Sequence, residues 1–117
     1  MPNNEENIDI IQKFFVAFNE HDLNQAMSYV ADDAVLNSLR GQNVKGKLAI
    51  SRYVGGFLKE RTTARAVLGG AMFATEDWGF VEWILKGAGP EDIKGGHLFA
   101  FANGKIIHFG CFIKGSS

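Results

Sequence analysis

Apolar positions along the chain follow two regimes. Up to about Arg61 they recur at helical spacing, and beyond it they alternate. Ile8, Ile11, Phe15 and Phe18, with Phe14 beside them, predict a helix over Glu5 to Glu20. Asp22 followed by Gln25 resembles a capping box. It predicts a second, short helix through Ala31 with Ala26, Met27 and Val30 as its buried stripe. Asp33 to Leu39 reads as a strand and Gly41 to Gly46 as a loop. Ile50, Tyr53, Val54, Phe57 and Leu58 make Lys47 to Arg61 an amphipathic third helix. Gly55-Gly56 inside it weakens the helix and permits close packing.

The alternating regime predicts four strands. Thr62 to Thr75 is the first, with a bulge or bend at Gly69-Gly70. Glu76-Asp77 is a turn. Trp78 to Lys86 is the second strand, with Val81, Trp83 and Leu85 on one face and Glu82 and Lys86 paired on the other. After a loop over Gly87 to Asp92, two strands cover Gly95 to Ile113, joined at Asn103-Gly104, where a type I′ turn needs positive φ twice. Helices first and a meander of strands afterwards define an α+β fold. A strongly curved antiparallel sheet around three N-terminal helices would enclose a cone-shaped pocket.

The chain has 117 residues, which suits one domain over 1–117. A net charge of −1 argues against a nucleic-acid partner. No apolar run reaches membrane-spanning length, and the polar start is unlike a signal peptide. The single Cys111 cannot close an internal disulfide, so a cytoplasmic location is expected. The tail Gly115-Ser116-Ser117 is expected to fray.

The candidate chemistry starts from His97. It shares a strand face with Phe99 and Phe101, so a titratable ring is aimed at the apolar interior. His21, His97 and His108 lack metal-ligand spacing, and no metal is predicted. No glycine-rich phosphate loop is present in the right context, and no organic cofactor is implied.

The run from Ile10 to Leu36, "IIQKFFVAFNEHDLNQAMSYVADDAVL", resembles the opening of the nuclear transport factor 2-like superfamily. Asp32-Asp33-Ala34-Val35, Gly46 before the third helix, and "HLFAFANGKI" from His97 to Ile106 carry the resemblance along nearly the whole chain. It implies a cystatin-like cone with a deep apolar cavity, in the branch that holds ketosteroid isomerase and the SnoaL-like polyketide cyclases. In ketosteroid isomerase a first-helix tyrosine and an aspartic acid on the penultimate strand form the oxyanion hole. An aspartate on the first strand moves the proton. Those positions fall here on Phe14, His97 and about Ser38, with Asn37 one register away. A Phe donates no hydrogen bond and a Ser alone is no base, so isomerisation by that mechanism is not expected. Limonene-epoxide hydrolase, a further relative, uses acidic residues that have no evident counterpart.

The resemblance further implies which side chains face the cavity. They are Val81, Trp83 and Leu85 opposite His97, then Phe109, Cys111 and Ile113, with His108 and Phe112 outward. Tyr53 comes from the third helix, Asn37 or Ser38 from the first strand, and Arg40 lies nearer the mouth. Phe14 and Phe99 complete the walls. Such an apolar hollow with a few polar points suits a small apolar molecule, carbonyl-bearing or polycyclic. His97 would then act as acid/base or bond a carbonyl, with Tyr53 as a second donor. Each residue also has a plainer reading. His97 is a buried ring satisfied by a neighbour, Tyr53 and Trp83 are core, Arg40 is a solvated charge, and Cys111 is a small hydrophobe. The rival function is a non-catalytic binding or dimerisation module. On the outer sheet face, Phe80, Ile84, Leu98, Ala100, Ile106 and Phe112 form an apolar area that a homodimer would cover.

Overall fold

In the computed structural model, which describes residues 4–38 and 41–114, three helices pack against one six-stranded sheet. Leu39, Arg40 and the tail Gly115 to Ser117 lie outside the described residues. The helices are α1 (Asn4–Asn19), α2 (Leu23–Met27) and α3 (Lys47–Glu60). The strands are β1 (Val30–Asn37), β2 (Asn43–Lys45), β3 (Arg65–Ala74), β4 (Trp78–Lys86), β5 (Ile93–Ala102) and β6 (Lys105–Ile113). The sheet is strongly curved and its order is β2-β1-β6-β5-β4-β3.

The predicted elements are present with three differences. Asp22 caps α2 by accepting from the Gln25 amide at 3.1 Å, but the helix stops at Met27. Tyr29 and Val30 are poor helix formers, and Val30 gains more as the first residue of β1 beside Ile106. The expected loop from Gly41 to Gly46 contains β2, which pairs antiparallel with β1 and covers its outer edge. The sheet is also not wholly antiparallel, because β1 runs parallel to β6.

Both predicted irregularities of the strands occur. The β3–β4 register shifts between Leu68 and Met72, and Gly70 there has φ +88°. The amide of Ala71 in that bulge donates to Glu82 Oε1 at 2.9 Å. Asn103 (φ 53°) and Gly104 (φ 74°) form the tight turn between β5 and β6. A second bulge was not expected. The β5–β6 register slips past Ile107, so Ala100 pairs with His108 but Phe101 with Ile106. This turns Ile106 into the core, fully buried, rather than onto the outer face. The outer-face charges also pair differently from the expected Glu82 with Lys86: Lys114 meets Glu82, and Lys86 meets Asp92 at 2.8 Å.

One apolar cluster joins the layers. Ile11, Phe14 and Phe15 of α1 meet Ile50 and Val54 of α3 and Val81, Phe99 and Phe109 of the sheet. Two asparagine amides fasten α1 to the sheet. Asn7, fully buried, donates from Nδ2 to the carbonyls of Thr75 (2.9 Å) and Glu76 (3.0 Å) in the β3–β4 turn. At the other end, Asn19 both donates to Ala66 O and accepts from Ala66 N, each at 2.7 Å. That pair satisfies one residue of the sheet-edge strand β3 as a further strand would.

On the outer face Phe73 stacks on Phe80 (5.3 Å between centroids), and Phe80 on Phe112 (5.7 Å). The last contact crosses Gly96, where a Cβ would lie 2.7 Å from the Phe112 ring. Phe73, Trp78 and Leu98 are about half exposed, at 55%, 55% and 49%.

Candidate functional site

The concave face of the sheet and the helices α1 and α3 enclose a cavity of about 120 Å³. Phe14, Phe15, Phe18, Phe57, Trp83 and Phe109 give it aromatic walls, with Tyr53 beside them. The polar groups on it are His97, Ser38, Tyr53 and Cys111, and no charged side chain lines it among the described residues. Tyr53 is 42% exposed and therefore stands at the mouth.

His97 faces this cavity for the reason its strand implies. It shares a face of β5 with Phe99, lies opposite Val81 and Cys111, and stacks on Phe99 at 5.6 Å between centroids. Phe15 meets the ring edge-on at 5.5 Å. Its one hydrogen bond comes from Trp83, whose Nε1 donates to His97 Nδ1 at 2.7 Å. Gly95 makes that bond possible. Trp83 pairs with Gly95 across the strands, and a Cβ there would sit 2.8 Å from the indole ring. With no side chain in the way, the indole lies across β5 and reaches the imidazole.

The indole N–H can only donate. Nδ1 must therefore accept, and the single proton of a neutral imidazole sits on Nε2. Burial favours the neutral ring and pushes the His97 pKa down to about 3. Among the described residues Nε2 has no partner. The residue is not sealed off either, being partly rather than wholly buried. Burial also pushes the Cys111 thiol up, away from a reactive thiolate.

Ser38 and Asn37 separate cleanly. Ser38 is buried, lines the cavity, and accepts from the Gln42 amide at 3.1 Å, which leaves its hydroxyl proton available. Asn37 is exposed, off the cavity, and donates to Asn43 Oδ1 at 2.9 Å. Val81 and Phe99 are fully buried behind the lining rather than on it. Ile113, expected inward, is 50% exposed beyond the cavity. Arg40 lies outside the described residues.

Phe15, Phe18, Leu36, Val54, Phe57 and Ala66 line the cavity without having been singled out as site residues. Helical spacing carried part of that signal, because Phe18 follows Phe14 and Phe57 follows Tyr53 by four positions, on shared helix faces. Elsewhere, a recess of about 610 Å³ beside Asp32, Asp33, Lys47 and Lys105 carries charges of both signs that face solvent. Among the described residues no three His, Cys, Asp or Glu side chains gather, and no helix is long and apolar enough to cross a membrane.

A curved sheet closing over helices, with an aromatic hollow between them, makes the chain a cone-shaped α+β domain. The SnoaL-like domain family matches residues 11–109, and the chain belongs to it. Solved structures agree on the fold. An NTF2-like protein of unknown function from Mesorhizobium loti superposes with a TM-score of 0.84 at 20% identity, covering 98% of each chain. A protein assigned as a SnoaL-like polyketide cyclase from a Jannaschia species gives 0.86 at 14% identity, over 97% of this chain and 89% of that one. One assigned as a ketosteroid isomerase from Kribbella flavida gives 0.83 at 15% identity, over 97% and 82%. Comparison of the sequence with curated proteins finds no match.

Proposed function

We propose that the protein binds an apolar, carbonyl-bearing small molecule in this cavity, and that His97 meets the carbonyl. The observation that carries the reading is an imidazole set among aromatic walls whose Nε2 has no partner among the described residues. Ligand sites combine apolar walls with a few convergent polar groups in this way. SnoaL-like cyclase or isomerase chemistry at this site would rest on His97 as acid/base with Tyr53 at the mouth. The lining favours binding over isomerisation, because it holds no carboxylate among the described residues.

Cys111 provides the test. It is the chain's one cysteine and it lines the cavity. A neutral thiol reagent should label it slowly, and a bound aryl ketone should slow labelling further. Labelling unchanged by any member of a panel of apolar ketones would refute a ligand site here. Product analysis of the same mixtures, with wild type and His97→Ala, separates an enzyme from a binding module.

We also propose a cytoplasmic homodimer built through the outer face. Phe73, Trp78 and Leu98 leave an apolar area that is rarely left in water. Light scattering at micromolar concentration should give twice the mass of the chain, and a stable monomer would refute the dimer.

A further inference from the structure

Resting on the reading of the cavity as a ligand site, we infer that Trp83 fixes His97 as a hydrogen-bond donor rather than a base, and that the ligand is an uncharged, single-ring ketone or aldehyde. The donor role follows from the 2.7 Å bond to Nδ1. A general base must offer a lone pair to its substrate. The neutral ring has one such lone pair, and the indole N–H occupies it. What remains toward the cavity is Nε2–H. Taking up a proton would place an imidazolium N–H against the indole N–H. No carboxylate among the described lining residues would balance the charge. Trp83 is therefore a positioning residue: it selects the tautomer that His97 presents.

The ligand class follows from what the cavity offers. Ser38 already accepts from Gln42 N, so its hydroxyl proton is free to donate. His97 and Ser38 are thus both donors, and a carbonyl oxygen, which only accepts, complements them. A carboxylate would enter a lining with no cation among the described residues, and a buried unpaired charge is expensive. Size sets the remaining limit. The cavity holds about 120 Å³, and a dry apolar cavity of about 150 Å³ takes benzene. One ring fits; a fused-ring skeleton requires the walls to move. This narrows the choice between carbonyl-bearing and polycyclic compounds that the sequence leaves open.

The test uses four probes and one spectrum. Acetophenone supplies ring and carbonyl, ethylbenzene the same shape without an acceptor, benzoate the charge, and a four-ring steroid ketone the size. Acetophenone should bind about tenfold more tightly than ethylbenzene, the effect of one added hydrogen bond. It should also exceed benzoate and the steroid. His97→Phe should remove most of the preference over ethylbenzene, leaving what Ser38 supplies, and Trp83→Phe, which keeps a ring but frees Nδ1, should reduce it less. Nitrogen-15 histidine spectra of the wild type should show the His97 proton on Nε2 from pH 6 to 8. They test the tautomer even if the Trp83 variant does not fold. A proton on Nδ1, or equal binding of acetophenone and ethylbenzene, overturns the donor assignment while the cavity remains a site. Tighter binding of the steroid or of benzoate overturns the ligand class. No binding by any probe removes the ligand site itself, and this inference with it.

Discussion

Replacing Gly95 by alanine adds one methyl at the point where the sheet and the site depend on each other. That methyl would lie 2.3 Å from the carbonyl oxygen of Phe112 and 2.8 Å from the nearest atom of the Trp83 indole. The indole can swing away. The oxygen belongs to the β6 backbone and moves only with its strand. Overpacking of this kind costs about 1–3 kcal/mol, against about 0.4–1 kcal/mol gained by stiffening the unfolded chain. With a backbone clash the cost belongs at the upper end, for a net loss of about 2 kcal/mol. For a domain of 117 residues this lowers Tm by roughly 8 °C. Circular dichroism melts measure the loss, and indole fluorescence reports whether Trp83 has left His97. Gly96→Ala is the matched control. It clashes with Val81 O at 2.5 Å and with the Phe112 ring, so it should destabilise similarly while leaving the Trp83–His97 bond intact. Gly56→Ala sits in open space on α3 and should instead stabilise by about 0.5–1 kcal/mol. A Gly95→Ala protein that melts with the wild type and keeps its fluorescence would show that the indole does not lie across β5.

His97 makes stability fall as the solution turns acidic. The unfolded imidazole takes up a proton below about pH 6.5, which the folded one refuses until about 3. The unfolded state therefore binds more protons in that window, and stability present at pH 7 is lost on acidification. Between pH 7 and pH 5 the loss should reach about 2 kcal/mol in urea unfolding, with His97→Phe flattening the slope. Parallel slopes for the two proteins would contradict the burial. The lowered pKa of Glu82, held by Lys114 and then by the Ala71 amide, acts below the carboxylate range and outside this window. Asn7→Ala should cost about 2 kcal/mol, since two turn carbonyls lose their buried donor. A melt within 2 °C of wild type would mean water replaces the amide. Leu98→Lys should convert the proposed dimer to monomer in sedimentation without lowering binding of an aryl ketone; an unchanged mass would place any interface elsewhere.

Much of the fold was legible in the sequence because its signals are local. The change of period after Arg61, the Asp22 cap, the Gly69-Gly70 bulge and the Asn103-Gly104 turn each belong to a few adjacent residues. What escaped depends on partners far along the chain. The slip at Ile107, which buries Ile106, is a property of two strands in register and leaves no mark in one of them. β2 exists only because β1 has an edge to pair with. Asn7 and Asn19 look like ordinary polar helix positions until β3 and its turn are placed beside them. The site divides in the same way. Alternation on β5 put His97 beside aromatic residues, and family register brought Trp83 near it. The bond between them also needs the missing side chain at Gly95, a requirement that appears only when two strands are laid together.

The place of β6 bears on how the chain assembles. β6, which follows the other five strands along the chain, lies in the interior of the sheet, holding β1 on one side and β5 on the other. While a ribosome is still making it, β1 and β2 have nothing to join, and the meander from β3 to β5 is an open ribbon. α1 can already hold β3 through Asn7 and Asn19, but the two parts of the sheet are joined only by β6, across a separation of some seventy residues between Leu36 and Phe109. Contacts that distant in sequence form slowly, so the nascent chain must keep its future interior shielded until the closing strand arrives.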